Sequence, residues 1–231
     1  MITTFIDSLR EKPNDRLFNP WFEIDPHHDA HRDSPEVRRK QFQTYLEERI
    51  GRARYLLIAE ALGYQGGHFS GIAMTSERIL LGHQREKYAV TPDHVFTGIA
   101  PSRTSKKEVN PNGMSEPTAT IVWGSLVEMG IDPYEVVLWN AVPWHPYKPE
   151  KGLLSNRTPT DEELEAGLKL LPSFLELFDG ARLVAVGRKC EATLQRLGLK
   201  FVHVRHPANG GAPKFRAQLA EFAGQAGSSA K

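Results

Sequence analysis

The chain has 231 residues, 40% of them hydrophobic and 25% charged, with a formal net charge of +1 and a single cysteine. That is enough chain for one sizeable α/β domain and short for two. Cys190 alone excludes an internal disulfide and any cysteine-built zinc or iron–sulfur site. Residues 1–14 contain no apolar run of the kind a signal peptide or membrane span needs, so no membrane contact and a cytoplasmic location are expected.

Residues 1–34 have little periodicity and contain Pro13, Pro20 and Pro26, which reads as an irregular arm wrapped on the domain. The run from Asp25 to His31 places three histidines among aspartates. It lacks the helical or strand spacing that fixes ligand geometry, so a polar loop is expected rather than a metal site. Ser34-Pro35-Glu36 opens a helix with Ser34 as cap and Phe42, Leu46 and Ile50 along one face, and Gly51 stops it. Tyr55 to Ala59 is a short continuous apolar run, fit for a strand buried on both faces. Ser76 to Leu81 reads as a short helix, and 98–117 as a long surface loop rich in Ser, Pro, Asn and Lys.

Glu116 to Met129 has helical spacing and ends at Gly130. Glu135 to Trp139 is a second strand, followed by a proline-rich loop over 143–159. Thr160-Asp161-Glu162-Glu163 is a capping box for a helix through Phe178. Leu183 to Val186 is a third strand, Arg188 to Leu197 a helix, Phe201 to Val204 a fourth strand, and Pro213 opens a last helix through Phe222. Residues 224–231 are small and polar and read as a disordered tail. Strands alternating with helices imply a parallel sheet with helices on both faces, in which ligands bind beyond the carboxyl ends of the strands.

Glu60, Asn140 and His206 each fall within two residues of an expected strand end, so they should converge. Glu60 is either a structural carboxylate or a general base that also stabilises a nearby cation. The glycines around Gly63-Tyr64-Gln65-Gly66-Gly67 fit neither a phosphate loop nor a dinucleotide fingerprint, and suggest instead a backbone that comes close to a ligand. Phe69 is either core or a stacking platform. The Asn140 amide, buried by its strand, needs a donor and an acceptor, which suits the edge of a pyrimidine. His206 could donate to an oxyanion as a neutral imidazole. From 181 to 231 nine basic residues face two acidic ones, a segment that could meet phosphates or form a solvated helix face.

Together these motifs resemble the uracil-DNA glycosylase superfamily over about residues 35–220. They are Ala59-Glu60-Ala61-Leu62-Gly63 against its Gly-Glu-Ala-Pro-Gly, Phe69-Ser70-Gly71, Leu138-Trp139-Asn140-Ala141-Val142, and His206-Pro207 against its His-Pro-Ser-Pro. Asn156 to Pro159 and Pro207 to Phe215 resemble its stand-alone bacterial members. The resemblance implies an α/β fold, a three-layer α/β/α sandwich around a four-stranded parallel sheet, with the glycosylase-like domain over 35–223. It also implies a DNA partner, single- or double-stranded, with the target nucleotide flipped into the pocket. Gly63, Tyr64 and Phe69 would hold the base, Asn140 would read it, and His206 would take up charge on O2. Glu60 would face the sugar or position water, and Arg157, Arg205, Lys214 and Arg216 would hold phosphates.

The chain departs from the family pattern at Ala59, Ala61, Leu62 and Gly63. Gly63 stands where a tyrosine walls off the pyrimidine 5-position, which implies room beside it. The function expected is that of a monomeric, monofunctional DNA glycosylase for uracil or a modified pyrimidine, without metal or cofactor. It is monofunctional because no lysine lies in the motifs to form a Schiff base. The alternatives are the same chemistry on bulky 5-modified cytosines of phage DNA, as an antiviral defence, and a non-catalytic binder of flipped bases or abasic sites.

Overall fold

The computed structural model describes residues 1–228, with side chains through Gly224. In chain order the elements are α1 (Ile2–Ser8), β1 (Leu17–Phe18), α2 (Ser34–Glu47), β2 (Tyr55–Ala61), α3 (Gly67–Ser70), α4 (Glu77–Leu80) and α5 (Arg85–Tyr88). They continue with α6 (Pro117–Glu128), β3 (Val136–Val142), β4 (His145–Pro146), α7 (Asp161–Glu176), β5 (Arg182–Val186), α8 (Arg188–Arg196), β6 (Phe201–Val204) and α9 (Ala212–Ser228). Four strands form one parallel sheet in the order β3-β2-β5-β6, as the alternation of strands and helices implies.

Strand alternation assigns the two faces. Tyr55, Leu57 and Val136 point toward Leu126 of α6 and Leu219 and Phe222 of α9. On the opposite face Trp139 stacks on Phe42 of α2 and Phe174 of α7 and meets Phe5 of α1. Helix α8 lies beside α7, to which Arg196 and Glu165 tie it. The sheet is therefore the middle of three layers. Gly167 lets α7 come down on β3: a Cβ there would sit 2.0 Å from the Ala141 carbonyl oxygen.

The N-terminal arm is more regular than its prolines suggest. Ile2, Phe5, Ile6 and Leu9 recur at helical spacing and bury α1 in the core. Strand β1 pairs antiparallel with β4. Buried Arg38 of α2 donates to Asp29 Oδ1 and Oδ2 at 2.6 and 2.9 Å, and to the Glu23 and Pro20 carbonyls. The fully buried pair is satisfied on both sides, which holds the arm to the domain. The tail expected from Gly224 begins as helix, since α9 runs to Ser228; 229–231 lie outside the described residues.

The 98–117 segment is not wholly a surface loop. Thr104 and Ser105 are fully buried, and a carboxylate organises them. Glu77 Oε1 accepts from the Thr104 and Ser105 N–H groups at 2.6 and 2.9 Å. Its Oε2 accepts from the Ser105 hydroxyl and from the Met114 N–H at 3.2 Å, with Arg103 3.8 Å away as countercharge. Removing the acceptor would strand several buried donors at once. Glu77→Ala is expected to cost about 3–5 kcal/mol in unfolding free energy by denaturant titration, and a loss below about 1 kcal/mol would contradict this role.

Candidate active site

The winding reverses between β2 and β5, because the chain leaves β2 for β3 on one side and returns to β5 on the other. In such sheets that reversal opens a crevice at the carboxyl ends. A cleft of about 740 Å³ lies there, lined by the ends of β2, β3 and β5 and by the turn after β6. Glu60 and Asn140 sit inside their strands rather than after them, because the β2–β3 ladder continues to Ala61 opposite Val142.

Asn140 faces Ala59 in register and is 1% exposed, yet neither its Oδ1 nor its Nδ2 has a hydrogen-bond partner. A buried amide with both ends unpaired costs a few kcal/mol. It is thus poised for a ligand edge that offers one donor and one acceptor.

His206 packs against Gly187 at the end of β5, where a Cβ would come within 3.0 Å of the His206 Cβ. Gly187 also has a φ of +91°, so the position is closed to side chains on two counts. The Ala208 N–H donates to His206 Nδ1 at 3.1 Å, which leaves the proton of a neutral ring on Nε2. Burial, reinforced by the neighbouring Arg205 charge, lowers the His206 pKa, so the ring stays neutral.

Glu60 lies on the opposite sheet face from Asn140 by alternation. Lys189, the second residue of α8, places its Nζ 3.1 Å from Glu60 Oε1 and donates to Thr158 Oγ1 at 2.9 Å. Lys189 lies outside the sequence motifs; only the packing of α8 onto β2 brings it here. Arg188 and Arg205 also line the cleft. No ion pair engages either of them among the described residues. The Cys190 thiol is pushed up to about 12 by burial, so it is no nucleophile at neutral pH.

Several expected site residues are placed otherwise. Phe69 is fully buried, packed on the His68 ring at 4.3 Å and absent from the cleft wall, where Met74 and Val186 supply apolar surface instead. Arg157 reaches the cleft but is committed to Glu163, with bonds of 2.6 and 2.7 Å, and to the Tyr147 and Arg16 carbonyls. It therefore has little left for a phosphate. Arg216 and Lys214 do not line the cleft; Arg216 lies 3.6 Å from Glu128, while Lys214 is exposed. Gly63 and Tyr64 do line it, but the room expected beside Gly63 is taken by the Glu116 carboxyl.

A profile of the uracil DNA glycosylase superfamily matches residues 86–223, more than half of the chain. The chain belongs to that superfamily. As a member it is a DNA N-glycosylase, a hydrolase of N-glycosyl bonds. Its fold is similar to that of wild-type SMUG2 from Pedobacter heparinus, with a TM-score of 0.58 at 11% identity over 97% of this chain and 98% of that one. No curated protein matches the chain in sequence.

Behind the glycosylase cleft, Asp25 from the Asp25–His31 run joins His68 and His145 in a buried relay. Asp25 Oδ2 meets His68 Nε2 at 3.1 Å, His68 Nδ1 meets His145 Nδ1 at 3.1 Å, and His145 Nε2 donates to the Ser155 carbonyl at 2.8 Å. Burial lowers the His68 pKa, against the opposing pull of the Asp25 carboxylate. Burial alone would raise the Asp25 carboxyl, but His68 and His28 outweigh it and hold it below the usual carboxylate range. His145 stacks on Tyr64 at the cleft mouth, so the relay braces the 63–71 turn from behind.

Burial lowers the His145 pKa to about 3, against about 6.5 for an unfolded histidine. Between those values the unfolded chain binds the extra proton, so the His145 contribution is complete above about pH 6.5 and is lost as pH falls. Unfolding free energy is expected to decline from pH 6.5 toward pH 4 with a slope approaching about 1.4 kcal/mol per pH unit. A flat profile over that range would contradict a buried neutral His145.

Proposed function

We propose that the enzyme excises a pyrimidine, uracil or a modified one, from a nucleotide flipped out of DNA, leaving an abasic site. The observation that carries this is the Asn140 amide, buried with both ends unpaired in the same cleft as a neutral, Nε2-protonated His206. One carboxamide presents an acceptor and a donor side by side, the complement of a pyrimidine N–H and its neighbouring carbonyl. As the N-glycosidic bond breaks, negative charge moves onto the base, and an Nε2–H donor aimed at a ring carbonyl oxygen stabilises it in a site partly closed to water.

Glu60 belongs to the opposite side of the cleft and suits the sugar, whose C1′ gains positive charge as the base leaves. Lys189 pairs with it and keeps the carboxylate in place. Among the described residues, Arg205 and Arg188 are the cleft arginines without an ion-pair partner, which makes them the best placed to hold flanking phosphates. Lys189 also reopens the question of lyase activity: the monofunctional expectation rested on the motifs alone, yet a lysine stands in the cleft. Its pairing with Glu60 engages the amine and favours simple hydrolysis.

The test is base release measured by mass spectrometry from oligonucleotides that carry normal and modified pyrimidines, single- and double-stranded. Asn140→Ala and His206→Ala are each expected to slow release by about 10²–10³-fold. Near-normal rates in both variants would remove their assigned roles. Tight binding of abasic or base-flipped DNA with no release by the wild type would instead support a binding protein.

A further inference from the structure

Gly63 and Gly66 do not border open space. A Cβ on Gly63 would lie 2.9 Å from Glu116 Oε1, and one on Gly66 would lie 1.6 Å from Oε2. The two glycines make room for this carboxyl, which forms part of the cleft wall. Glu116 occupies the cap position of α6, where an acidic side chain could satisfy the first N–H groups of the helix. It makes no such bond and turns into the cleft instead. Its Oε2 is enclosed and has no hydrogen-bond partner.

Asn140 and Glu116 share one side of the sheet. Asn140 alternates in β3 with Val136 and Leu138 on the face covered by α6, the helix that Glu116 precedes. The pocket thus contains two unsatisfied polar groups on the same side. Asn140 accounts for the amide edge of a ring. Glu116 requires a further hydrogen bond from whatever occupies the site, since an orphaned buried acceptor is costly.

We propose that Glu116 is a specificity-determining residue of the base pocket, whose carboxyl group receives a hydroxyl or amino side group carried by the excised base. The inference rests on the glycosylase reading above and names a substrate class within it: pyrimidines bearing a hydrogen-bond-donating substituent, in preference to those bearing an apolar one. Burial raises the Glu116 pKa to about 7, so both its ionised, accepting form and its protonated form are present near neutrality. An apolar methyl on the base would leave the same oxygen unpaired. Discrimination by an unpaired buried polar group can be large where a site is built to bond a hydroxyl or amine.

The experiment compares oligonucleotides that differ in one group: 5-hydroxymethyl- and 5-aminomethyl-pyrimidines against their 5-methyl counterparts, with uracil as reference. Binding is read by fluorescence anisotropy and base release by mass spectrometry. The wild type is expected to favour the donor-bearing bases by at least about tenfold. Glu116→Met, which keeps the bulk and removes the polarity, should bring that ratio near one, and Glu116→Gln should retain part of it. Neither variant should melt lower than the wild type by more than a few degrees, since an orphaned carboxyl contributes little to stability.

A wild-type ratio near one, or a ratio that survives in Glu116→Met, overturns the proposal. Release that depends on Asn140 but ignores the substituent sinks this inference and spares the glycosylase reading. A Glu116-dependent binding preference without release of any base does the reverse.

Discussion

The register of β2 against β3 is the constraint on which the site depends. It sets Asn140 opposite Ala59, inside a ladder that continues to Val142, so the amide is sealed by its own strand before any partner is available. A one-residue slip would turn Asn140 to the other face and bring Trp139 into the cleft. Trp139 cannot make that exchange cheaply, because it is the centre of the aromatic stack formed by Phe5, Phe42 and Phe174. The apolar face of β3 thus pays for the polar one: the burial of Trp139 fixes the register, and the register exposes an unpaired amide to the cleft.

Strand alternation also divides the cleft electrostatically. Asn140 and Glu116 lie toward α6, a side without a charge partner for either. Glu60 lies toward α8, where Lys189 meets it and Arg188 stands exposed at the cleft edge. A flat heterocycle on the first side and a sugar–phosphate on the second would each meet groups of the appropriate polarity. His206 lines the same cleft, packed on Gly187. Arg205 next to it helps keep the ring uncharged, and the Ala208 N–H fixes which nitrogen carries the proton. Burial, Arg205 and the Ala208 N–H thus set the state of the imidazole together.

The loops that complete the cleft are held by buried polar groups rather than by apolar packing alone. Glu77 gathers the 104–114 segment, Arg38 clamps the arm through Asp29, and the Asp25–His68–His145 relay supports the turn that carries Tyr64. Each network is satisfied within itself, in contrast to Asn140 and Glu116. Satisfied networks specify one arrangement of a loop. Asn140 and Glu116, by contrast, face the cleft with buried polar atoms that no protein group satisfies.

The sequence by itself determined the four strands, the order of strands and helices, and the placement of Glu60, Asn140 and His206 at one edge of the sheet. These are local properties: apolar runs of strand length, capping residues, and polar side chains where the runs end. It also carried α1, whose Ile2, Phe5, Ile6 and Leu9 spacing was legible but obscured by the prolines that follow. What the sequence could not decide was which side chains meet across the chain. Phe69 belongs to one of the motifs and yet is buried against His68; Arg157 is basic and yet bound to Glu163. Lys189 and Glu116 lie outside every motif and yet stand in the cleft. Pairings of this kind depend on how α6, α7 and α8 pack on the sheet, over separations that no local pattern encodes, so only the tertiary structure could supply the carboxyl that fills the space over Gly63.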